Sequence, residues 1–283
     1  MSKEFSQRIK KMAQKAGQIA LAFYQKSQPR LKPDHSVITK ADLTISELVH
    51  EDLADLLKSS QHILIEEEDP KKLSYLNHDL LKKTPYIWSI DPIDGTRLYA
   101  NHVPFFGISI GLMKNLRPWM GAVYFPLLGE LFFCDGQKAV FIQNAFSHKE
   151  KKMVIKPIGQ EINHHALLFC DDSIFKKFEW DYKDCQLIIS SCATVDLAWP
   201  SIGRGCGALF KSCLWDFAGS WPIFKAAGLD LRSFTTGEVL DQLKANTFDH
   251  QRKPWEVKDY YILSSRQNYT VIKQKLNSQS IRE

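Results

Sequence analysis

The stretch Trp88-Ser89-Ile90-Asp91-Pro92-Ile93-Asp94-Gly95-Thr96 places two carboxylates directly after a predicted buried strand. The strand is predicted over Tyr86 to Ile90, which favour β-structure, and the proline and glycine are predicted to end it in a turn. Asp91 and Asp94 would be costly to bury there unless a positive charge compensates them. Mg²⁺, which prefers oxygen ligands, would do so, and the glycine lets backbone N–H groups approach an anion. The stretch therefore predicts a metal and phosphate site, although Asp-Pro and Asp-Gly are also ordinary turn pairs.

The composition is that of a globular protein with a substantial core. The chain has 283 residues, of which 44% are hydrophobic and 24% charged, enough for one large domain or two fused halves. The net charge of +5 is consistent with a small anionic substrate, and no Lys/Arg block is dense enough to indicate nucleic-acid binding.

The N-terminus and the cysteines indicate the cellular location that we expect. The N-terminus lacks the apolar segment of a signal peptide, and no run approaches the roughly 18 apolar residues of a membrane span. Six cysteines without a CxxC pair indicate buried free thiols rather than a zinc site. We therefore expect a cytoplasmic protein that contacts no membrane.

Hydrophobic periodicity predicts helices and strands in two halves, residues 1–150 and 151–283, divided within the polar and basic residues 145–160. A late helix over Phe217 to Ala227 contains Pro222, which is predicted to kink or shorten it. The other predicted helices are Glu4 to Lys26, Thr39 to about Lys58, Cys192 to Ile202 and Tyr269 to Leu276. The other predicted strands of the first half are His62 to Ile65 and an antiparallel meander, which consists of Phe105 to Met113, Trp119 to Phe125, Glu130 to Cys134 and Ala139 to Ile142. Those of the second half are Ala166 to Phe169, Gln186 to Ile189, Ala208 to Phe210 and Tyr260 to Ser264.

Acidic residues recur at the ends of predicted elements, namely Glu66, Asp91, Asp94 and Asp216. Each also has an ordinary structural explanation. Glu66 lies in an acidic run that could be solvated, and Asp216 could cap the helix that it starts. Asp42 likewise fits a Thr-x-x-Asp capping box with Thr39.

Five stretches, in the same order along the chain, resemble the inositol monophosphatase family of lithium-sensitive, Mg²⁺-dependent phosphomonoesterases related to fructose-1,6-bisphosphatase. The combination of Asp-Pro-Ile-Asp-Gly-Thr with a downstream Trp-Asp-x-Ala-Gly is highly specific, and the resemblance spans roughly residues 5 to 270. The stretches are Val37-Ile38-Thr39-Lys40-Ala41-Asp42, Ile63-Leu64-Ile65-Glu66-Glu67, Trp88 to Thr96, Pro104 to Leu112 and Trp215-Asp216-Phe217-Ala218-Gly219.

The resemblance implies a site with two or three Mg²⁺ ions, inhibited by Li⁺. One ion would lie between Glu66, Asp91 and the carbonyl of Ile93, and a second between Asp91, Asp94 and Asp216. The implied catalytic residues are Glu66 and Thr96, which would help to activate the attacking water, and Asp42, which would orient the Thr96 hydroxyl. The backbone N–H groups of Gly95 and Thr96 would hold phosphate oxygens.

The chain departs from the family pattern where the alcohol of the substrate would bind. Ile65 replaces the glycine before the paired glutamates, and acidic Glu68 follows them. Arg97-Leu98-Tyr99 stands where Thr-Asn-Phe is common, and residues 209–213 contain Lys211 but no carboxylate. Arg97 and Lys211 could bind a second phosphate or a carboxylate, or could be solvated surface. The predicted substrate-binding residues are Asp94, Gly95, Thr96, Arg97 and Lys211.

We therefore expect an α+β or α/β layered sandwich of alternating αβαβα layers, of the sugar-phosphatase type, with the Mg²⁺ site between its two halves. The expected activity is hydrolysis of a phosphate monoester by a metal-activated water, with inositol 1-phosphate as the default substrate. Fructose-1,6-bisphosphate, adenosine 3′,5′-bisphosphate and histidinol phosphate are the alternatives within this class. A catalytically silent regulatory or scaffold protein is the alternative from another class. The resemblance also implies a homodimer.

Overall fold

The protein folds into five alternating layers of helix and sheet. The structure is a computed structural model that describes residues 2–26, 28–69, 78–158, 161–180, 185–249 and 255–278. Two long helices cover one face of a seven-stranded sheet, and short helices lie between its other face and a five-stranded sheet. A last helix covers the outer face of the second sheet. This order of layers confirms the predicted αβαβα sandwich.

The seven-stranded sheet consists of strands that pair in their order along the chain. Only the first pair is parallel, and the other pairs form the predicted antiparallel meander. The strands are β3 (His62–Glu66), β4 (Tyr86–Asp94), β5 (Gly107–Lys114), β6 (Arg117–Phe125), β7 (Glu130–Cys134), β8 (Ala139–Gln143) and β9 (Lys151–Val154). Because β9 pairs with β8, this sheet extends beyond residue 150, and the division into 1–150 and 151–283 stays a prediction.

Strand β4, which carries the two carboxylates, continues further than predicted. Asp91 and Asp94 both pair with β5, with a register shift between them. This irregularity accommodates Pro92, which has no N–H to give to the ladder. Gly95 ends the strand with φ 80°, a left-handed conformation that glycine adopts without strain. The turn predicted to begin at Asp91 is therefore wrong, and both carboxylates lie on the strand itself.

The two predicted N-terminal helices are present as α1 (Ser2–Phe23) and α2 (Lys40–Leu57). Helix α1 buries Phe5, Ile9 and Met12, which lie on one helical face, against the first sheet. Between the two helices, β1 (Arg30–Leu31) and β2 (Val37–Ile38) form a short hairpin. Two further short helices in this half are α3 (His78–Lys83) and α4 (Thr96–Ala100).

The five-stranded sheet has the order β12-β10-β13-β17-β14 and belongs to the second half of the chain. Its strands are β10 (Leu167–Cys170), β12 (Gln186–Ile188), β13 (Gly207–Phe210), β14 (Asp230–Ser233) and β17 (Tyr261–Ser264). Two-stranded pairs are formed by β11 (Phe178–Trp180) with β18 (Leu276–Ser278), and by β15 (Phe248–Asp249) with β16 (Glu256–Val257). Helix α8 (Arg266–Lys275) packs on the outer face.

The helices between the two sheets are shorter than predicted. Helix α5 (Ala193–Ala198) continues as a 3₁₀ turn to Ile202. The single helix predicted over 217–227 is two helices, α6 (Leu214–Ala218) and α7 (Trp221–Ala226). Pro222 lies in the first turn of α7, where its missing N–H costs no helical hydrogen bond. It therefore lies outside the helix that carries Asp216.

Helix α6 lies directly against the backbone of the first sheet. A Cβ added to Gly111 of β5 would lie 2.5 Å from the carbonyl carbon of Ala218, and one added to Gly121 of β6 would lie 2.2 Å from the carbonyl oxygen of Gly219. Only glycine permits such an approach. The hydroxyl of Ser109 also donates a hydrogen bond to the carbonyl of Trp215, at 2.8 Å. These contacts fix α6 beside β4.

The cysteine prediction is confirmed, since all six are buried and none of them forms a disulfide. None of the helices formed by the described residues combines the length and the hydropathy that a membrane crossing requires.

Candidate active site

Three carboxylates from distant parts of the chain meet where the first sheet faces α6. Asp91, Asp94 and Asp216 each offer an oxygen that lies within 4.8 Å of those of the other two. The first two side chains come from the end of β4, and the third comes from the first turn of α6. Three negative charges at this separation repel strongly in a buried site unless protons or cations neutralise them. The sequence prediction that these residues meet is therefore supported by their placement.

Asp91 is the most deeply buried of the three and the least satisfied. Asp91 is 1% exposed, and its Oδ1 atom has no hydrogen-bond partner among the residues that the structure describes. Burial raises the pKa of Asp91 well above its usual range, and the negative charges of Glu67, Asp94 and Asp216 raise it further. A buried carboxylate oxygen without a donor is rare in folded proteins and calls for an ion or a water.

Asp94 is held by donors from the start of α5. Its Oδ2 atom accepts hydrogen bonds from the backbone N–H and the hydroxyl of Thr194, at 2.6 and 2.7 Å, and from the thiol of Cys192, at 3.0 Å. Burial raises the pKa of Asp94, although these three donors oppose the shift. Because one oxygen is engaged in this way, the other is the one that can face a cation. The sequence analysis missed Cys192 and Thr194, for which it had only a predicted helix start.

Asp216 combines a capping role with its place in the cluster. Its Oδ2 atom accepts a hydrogen bond from the backbone N–H of Cys213, at 2.8 Å, which completes a capping box at the start of α6. Asp216 is therefore not the N-cap residue itself, which is Cys213; it completes the capping box from the first turn and lies close to Asp91 as well.

Thr96 and Asp42 are brought together, as the family resemblance implies. The Thr96 hydroxyl lies 2.8 Å from the carbonyl oxygen of Ile93 and 3.3 Å from Oδ1 of Asp42. The other oxygen of Asp42 accepts hydrogen bonds from the N–H and hydroxyl of Thr39, at 2.8 and 2.5 Å. Asp42 thus also forms the predicted capping box of α2. Its pKa is raised to about 6, chiefly because the side chain is fully buried.

The structure departs from the sequence analysis at the paired glutamates. The Glu66 carboxylate faces α2, where it accepts a hydrogen bond from the Ser46 hydroxyl and lies 3.5 Å from Nε2 of His50. Its neighbour Glu67 lines the same cavity as Asp94, and its charge raises the pKa of Asp91, Asp94 and Asp42. The structure therefore places Glu67 in the cavity of the acidic cluster, whereas Oε1 of Glu66 is engaged at α2 and its Oε2 is buried without a hydrogen-bond partner among the described residues.

Glu67 also has a cationic partner from the β1–β2 hairpin. The ammonium group of Lys32 lies 3.0 Å from Glu67 and 2.8 Å from Glu68. The Lys32 side chain is 18% exposed, and the two carboxylates raise its pKa above the usual value although burial opposes them. Burial and the charge of Glu67 raise the pKa of Glu68 to about 8.

The cluster opens into a cavity of about 420 Å³. All the substrate-binding residues predicted from the sequence line it: Asp94, Gly95, Thr96, Arg97 and Lys211. Arg97 is exposed, and the Lys211 ammonium lies over the ring of Tyr260, 5.7 Å from its centroid. Further acidic residues line the cavity that the sequence analysis did not single out, namely Asp171, Asp172, Asp196 and Glu256. The cavity can therefore accept cations at its acidic end and an anion near its two basic side chains.

Known proteins resemble this chain in both sequence and fold. A profile of the inositol monophosphatase family matches residues 2–279. The 3′(2′),5′-bisphosphate nucleotidase CysQ of Aggregatibacter actinomycetemcomitans is 30% identical over 128 residues, 45% of each protein. Inositol monophosphatase 2 of Solanum lycopersicum is 27% identical over 233 residues, 81% of this chain and 84% of that protein. The solved structure of an IMPase/NADP phosphatase complexed with Mg²⁺ and phosphate matches with a TM-score of 0.71 at 14% identity, over 99% of this chain and 97% of that one.

These matches differ in what they establish. The alignments with the first curated relatives span about half of those proteins' length, and at 14% identity the structural match shows a shared fold. The family profile covers nearly the whole chain, including every stretch on which the resemblance was based. This chain belongs to the inositol monophosphatase family.

Proposed function

We propose that this protein is a Mg²⁺-dependent phosphomonoesterase that hydrolyses the phosphate ester of a small alcohol, with inositol 1-phosphate as the default substrate. The observation that carries the proposal is the cluster of Asp91, Asp94 and Asp216, in which a buried carboxylate oxygen has no donor. Such a cluster is unfavourable for the folded protein alone and favourable once divalent cations bind. Oxygen-only donor sets of this kind suit Mg²⁺.

The residues that would hold Mg²⁺ are the three aspartates, the carbonyl of Ile93 and Glu67. Glu67 takes the role that the resemblance implied for Glu66, because its carboxylate lines the cavity and Glu66 faces Ser46 and His50. When bound, the ions would lower the pKa of the attacking water and neutralise charge on the leaving oxygen. We propose two or three ions per site, and inhibition by Li⁺.

The protein groups orient the water and the phosphate. The Thr96 hydroxyl, held between Asp42 and the Ile93 carbonyl, accepts a hydrogen bond from the attacking water and donates its own to Asp42. Glu67 is the carboxylate that can take the proton from that water. The backbone N–H groups of Gly95 and Thr96 donate to the phosphate oxygens, where negative charge increases during hydrolysis.

The basic side chains favour a second candidate substrate class. Arg97 and Lys211 line the cavity together with Asp94 and Asp216. An alcohol with its own phosphate or carboxylate would place that anion near them, as fructose-1,6-bisphosphate or adenosine 3′,5′-bisphosphate does. The CysQ relative, by its name a bisphosphate nucleotidase, supports the same class. Histidinol phosphate, whose alcohol is cationic, would instead pair with the acidic side chains of the cavity.

The test is phosphate release from inositol 1-phosphate, fructose-1,6-bisphosphate, adenosine 3′,5′-bisphosphate and histidinol phosphate. Each is assayed with Mg²⁺, with EDTA, and with Mg²⁺ plus Li⁺. We expect turnover of at least one substrate with Mg²⁺, and none with EDTA. Turnover that persists in EDTA would contradict the metal mechanism. Absence of both turnover and Mg²⁺ binding would favour the catalytically silent scaffold.

Size-exclusion chromatography tests the predicted homodimer. The cytoplasmic location likewise stays a prediction.

A further inference from the structure

A buried carboxyl group outside the acidic cluster is connected to Asp94 by hydrogen bonds. Asp196 lies on α5 and is 4% exposed. Its Oδ1 atom lies 2.5 Å from the hydroxyl oxygen of Ser190. This hydroxyl in turn contacts the backbone of Cys192, the residue that precedes α5 and whose thiol donates to Asp94.

The Ser190 hydroxyl lies between Asp196 and the backbone of Cys192. Its oxygen accepts the N–H of Cys192, at 3.0 Å, and lies 2.9 Å from the carbonyl oxygen of Cys192. A hydroxyl has one hydrogen to donate. The carbonyl oxygen of Cys192 also accepts the backbone N–H groups of Val195 and Asp196, at 3.1 and 3.2 Å. The Ser190 hydroxyl can therefore donate its hydrogen to Oδ1 of Asp196 while its oxygen accepts the N–H of Cys192, which connects Asp196 to the backbone of Cys192.

Asp196 lies in a buried and negatively charged environment. Burial raises its pKa well above the usual range, and the negative charges of Asp94 and Asp171 raise it further. The hydrogen bond from Ser190 opposes this shift without being the largest influence.

The segment that this hydrogen bond holds has an unusual backbone. Ser191 adopts φ 56°, a left-handed conformation that is uncommon for residues other than glycine. It lies between Ser190 and Cys192, so the contacts of Ser190 close the turn across it. The turn positions the Cys192 thiol and the Thr194 N–H and hydroxyl, which all converge on Oδ2 of Asp94.

We propose that Asp196 is a positioning residue for the metal site: it closes the turn at Ser190–Cys192 and thereby orients Asp94 toward the other two aspartates. This inference rests on the proposed function. It adds a residue that belongs neither to the acidic cluster nor to the family motifs on which the resemblance was based. Outer contacts of metal ligands of this kind commonly determine how tightly the metal binds.

The experiment compares Asp196→Ala, Asp196→Asn and Ser190→Ala with the unmodified protein. Mg²⁺ binding to the metal-free protein is measured by titration calorimetry. The constants kcat and KM are measured on the substrate that the phosphate-release assay identifies. We expect Asp196→Ala and Ser190→Ala to weaken Mg²⁺ binding by about 10- to 100-fold. Asp196→Asn should retain binding close to that of the unmodified protein, because the amide oxygen can still accept the hydrogen bond from Ser190.

A matched control separates positioning from general stability. Asp259 accepts a hydrogen bond from the hydroxyl of Ser233, the same kind of pair, but it lies outside the cavity. Asp259→Ala should lower the melting temperature without weakening Mg²⁺ binding. If Asp196→Ala misfolds, Ser190→Ala, which removes only a hydroxyl, gives the same test.

Either of two results would overturn the inference. The first is an unchanged Mg²⁺ affinity in both Asp196→Ala and Ser190→Ala. The second is an Asp196→Asn protein that binds Mg²⁺ as weakly as Asp196→Ala does. Failure of the proposed function is distinguishable, because the unmodified protein would then bind no Mg²⁺ and release no phosphate.

Discussion

At the scale of single residues, the candidate site depends on which face of a strand each carboxylate occupies. Successive side chains of a strand point to opposite faces, so the glutamate that ends a strand and the glutamate that follows it can face different sides of the sheet. Glu66 is the last residue of β3 and faces α2, and Glu67 follows it on the cavity side. A sequence motif with two or three consecutive glutamates does not indicate which of them faces the cavity.

The first prediction therefore compares two neighbours. Glu67→Gln should weaken Mg²⁺ binding by about 10- to 100-fold and lower phosphatase activity with it, because a ligand charge is lost. Glu66→Gln should leave Mg²⁺ affinity nearly unchanged, since that side chain contacts Ser46 and His50. Titration calorimetry of both metal-free variants measures the difference. The reverse order of effects would restore Glu66 as the ligand.

The second prediction concerns Asp42 and pH. Its pKa is raised from 3.8 to about 6 in the folded protein, so the folded state holds this proton more tightly than the unfolded state. The contribution of Asp42 to the free energy of unfolding is therefore greatest below pH 4 and is lost as the pH rises to about 6, on the order of 3 kcal/mol in all.

Chemical denaturation in EDTA, across pH 4 to about 7, tests this for the unmodified protein and for Asp42→Asn. Other groups titrate in the same interval, so the difference between the two proteins is the quantity to compare. Relative to the variant, the free energy of unfolding of the unmodified protein should fall as the pH rises. If it rises instead, the raised pKa of Asp42 is contradicted.

At this scale the sequence predicted site residues that lie close together along the chain and missed contacts between residues that are far apart in the sequence. Asp91 and Asp94 could be identified because a strand followed by closely spaced carboxylates is a local pattern. The donors on Asp94 come from Cys192 and Thr194, about a hundred residues later. No local pattern relates these positions, and only the packing of α5 against the first sheet brings them together.

At the scale of elements, the β1–β2 hairpin brings a cation to the acidic site. Lys32 lies in its turn and contacts both Glu67 and Glu68. Ser36 and Val37 of the same hairpin line the cavity. In the metal-free protein, Lys32 is therefore a positive charge that partly compensates Glu67 and Glu68.

The third prediction is that Lys32→Met destabilises the metal-free protein by roughly 2 kcal/mol, between the values for exposed and for buried ion pairs. Added Mg²⁺ should recover more stability in this variant than in the unmodified protein, because the ions replace the lost charge. Thermal unfolding with EDTA and with Mg²⁺ measures both effects.

The control for Lys32 is an exposed pair. Arg117 lies 3.0 Å from Asp241, with side chains 59% and 39% exposed, so Arg117→Met should change stability little. Equal losses in the two variants would mean that Lys32 acts as an ordinary surface charge.

The boundaries of elements were the less predictable part of the fold. The interruption of the predicted late helix was foreseen from Pro222, but its position was not, since proline is also well accommodated at a helix start. The continuation of β4 beyond Pro92 likewise depends on a register shift against β5. Such irregularities are determined by neighbouring strands and leave no periodicity in the sequence.

At the scale of the whole molecule, the site depends on how closely α6 approaches the first sheet. Gly111 and Gly121 allow this approach, and Asp216 lies on the same helix as Ala218, which contacts Gly111. The distance between Asp216 and Asp91 is thus set by backbone contact between two halves of the chain.

The fourth prediction is that Gly111→Ala lowers the free energy of unfolding by about 1–3 kcal/mol, because the added methyl group displaces α6. Mg²⁺ binding should weaken as well, since Asp216 moves with the helix. Gly203→Ala is the control: apart from its chain neighbours, no atom of the described residues lies within 4 Å of its added Cβ, and its φ of 81° adds only local backbone strain. It should be destabilised without losing Mg²⁺ affinity, and weakened binding there would contradict this explanation.

The order of strands in the first sheet has a consequence for synthesis on the ribosome. Because β3 to β9 pair in the order in which they are translated, this sheet can form before the second half has emerged. Its inner face would then be an uncovered apolar surface, since Phe125, Phe132 and Phe141 pack against the middle helices in the finished protein. A nascent chain of this length is a candidate client for chaperones, and it acquires the proposed metal site only when α6 emerges and covers that surface.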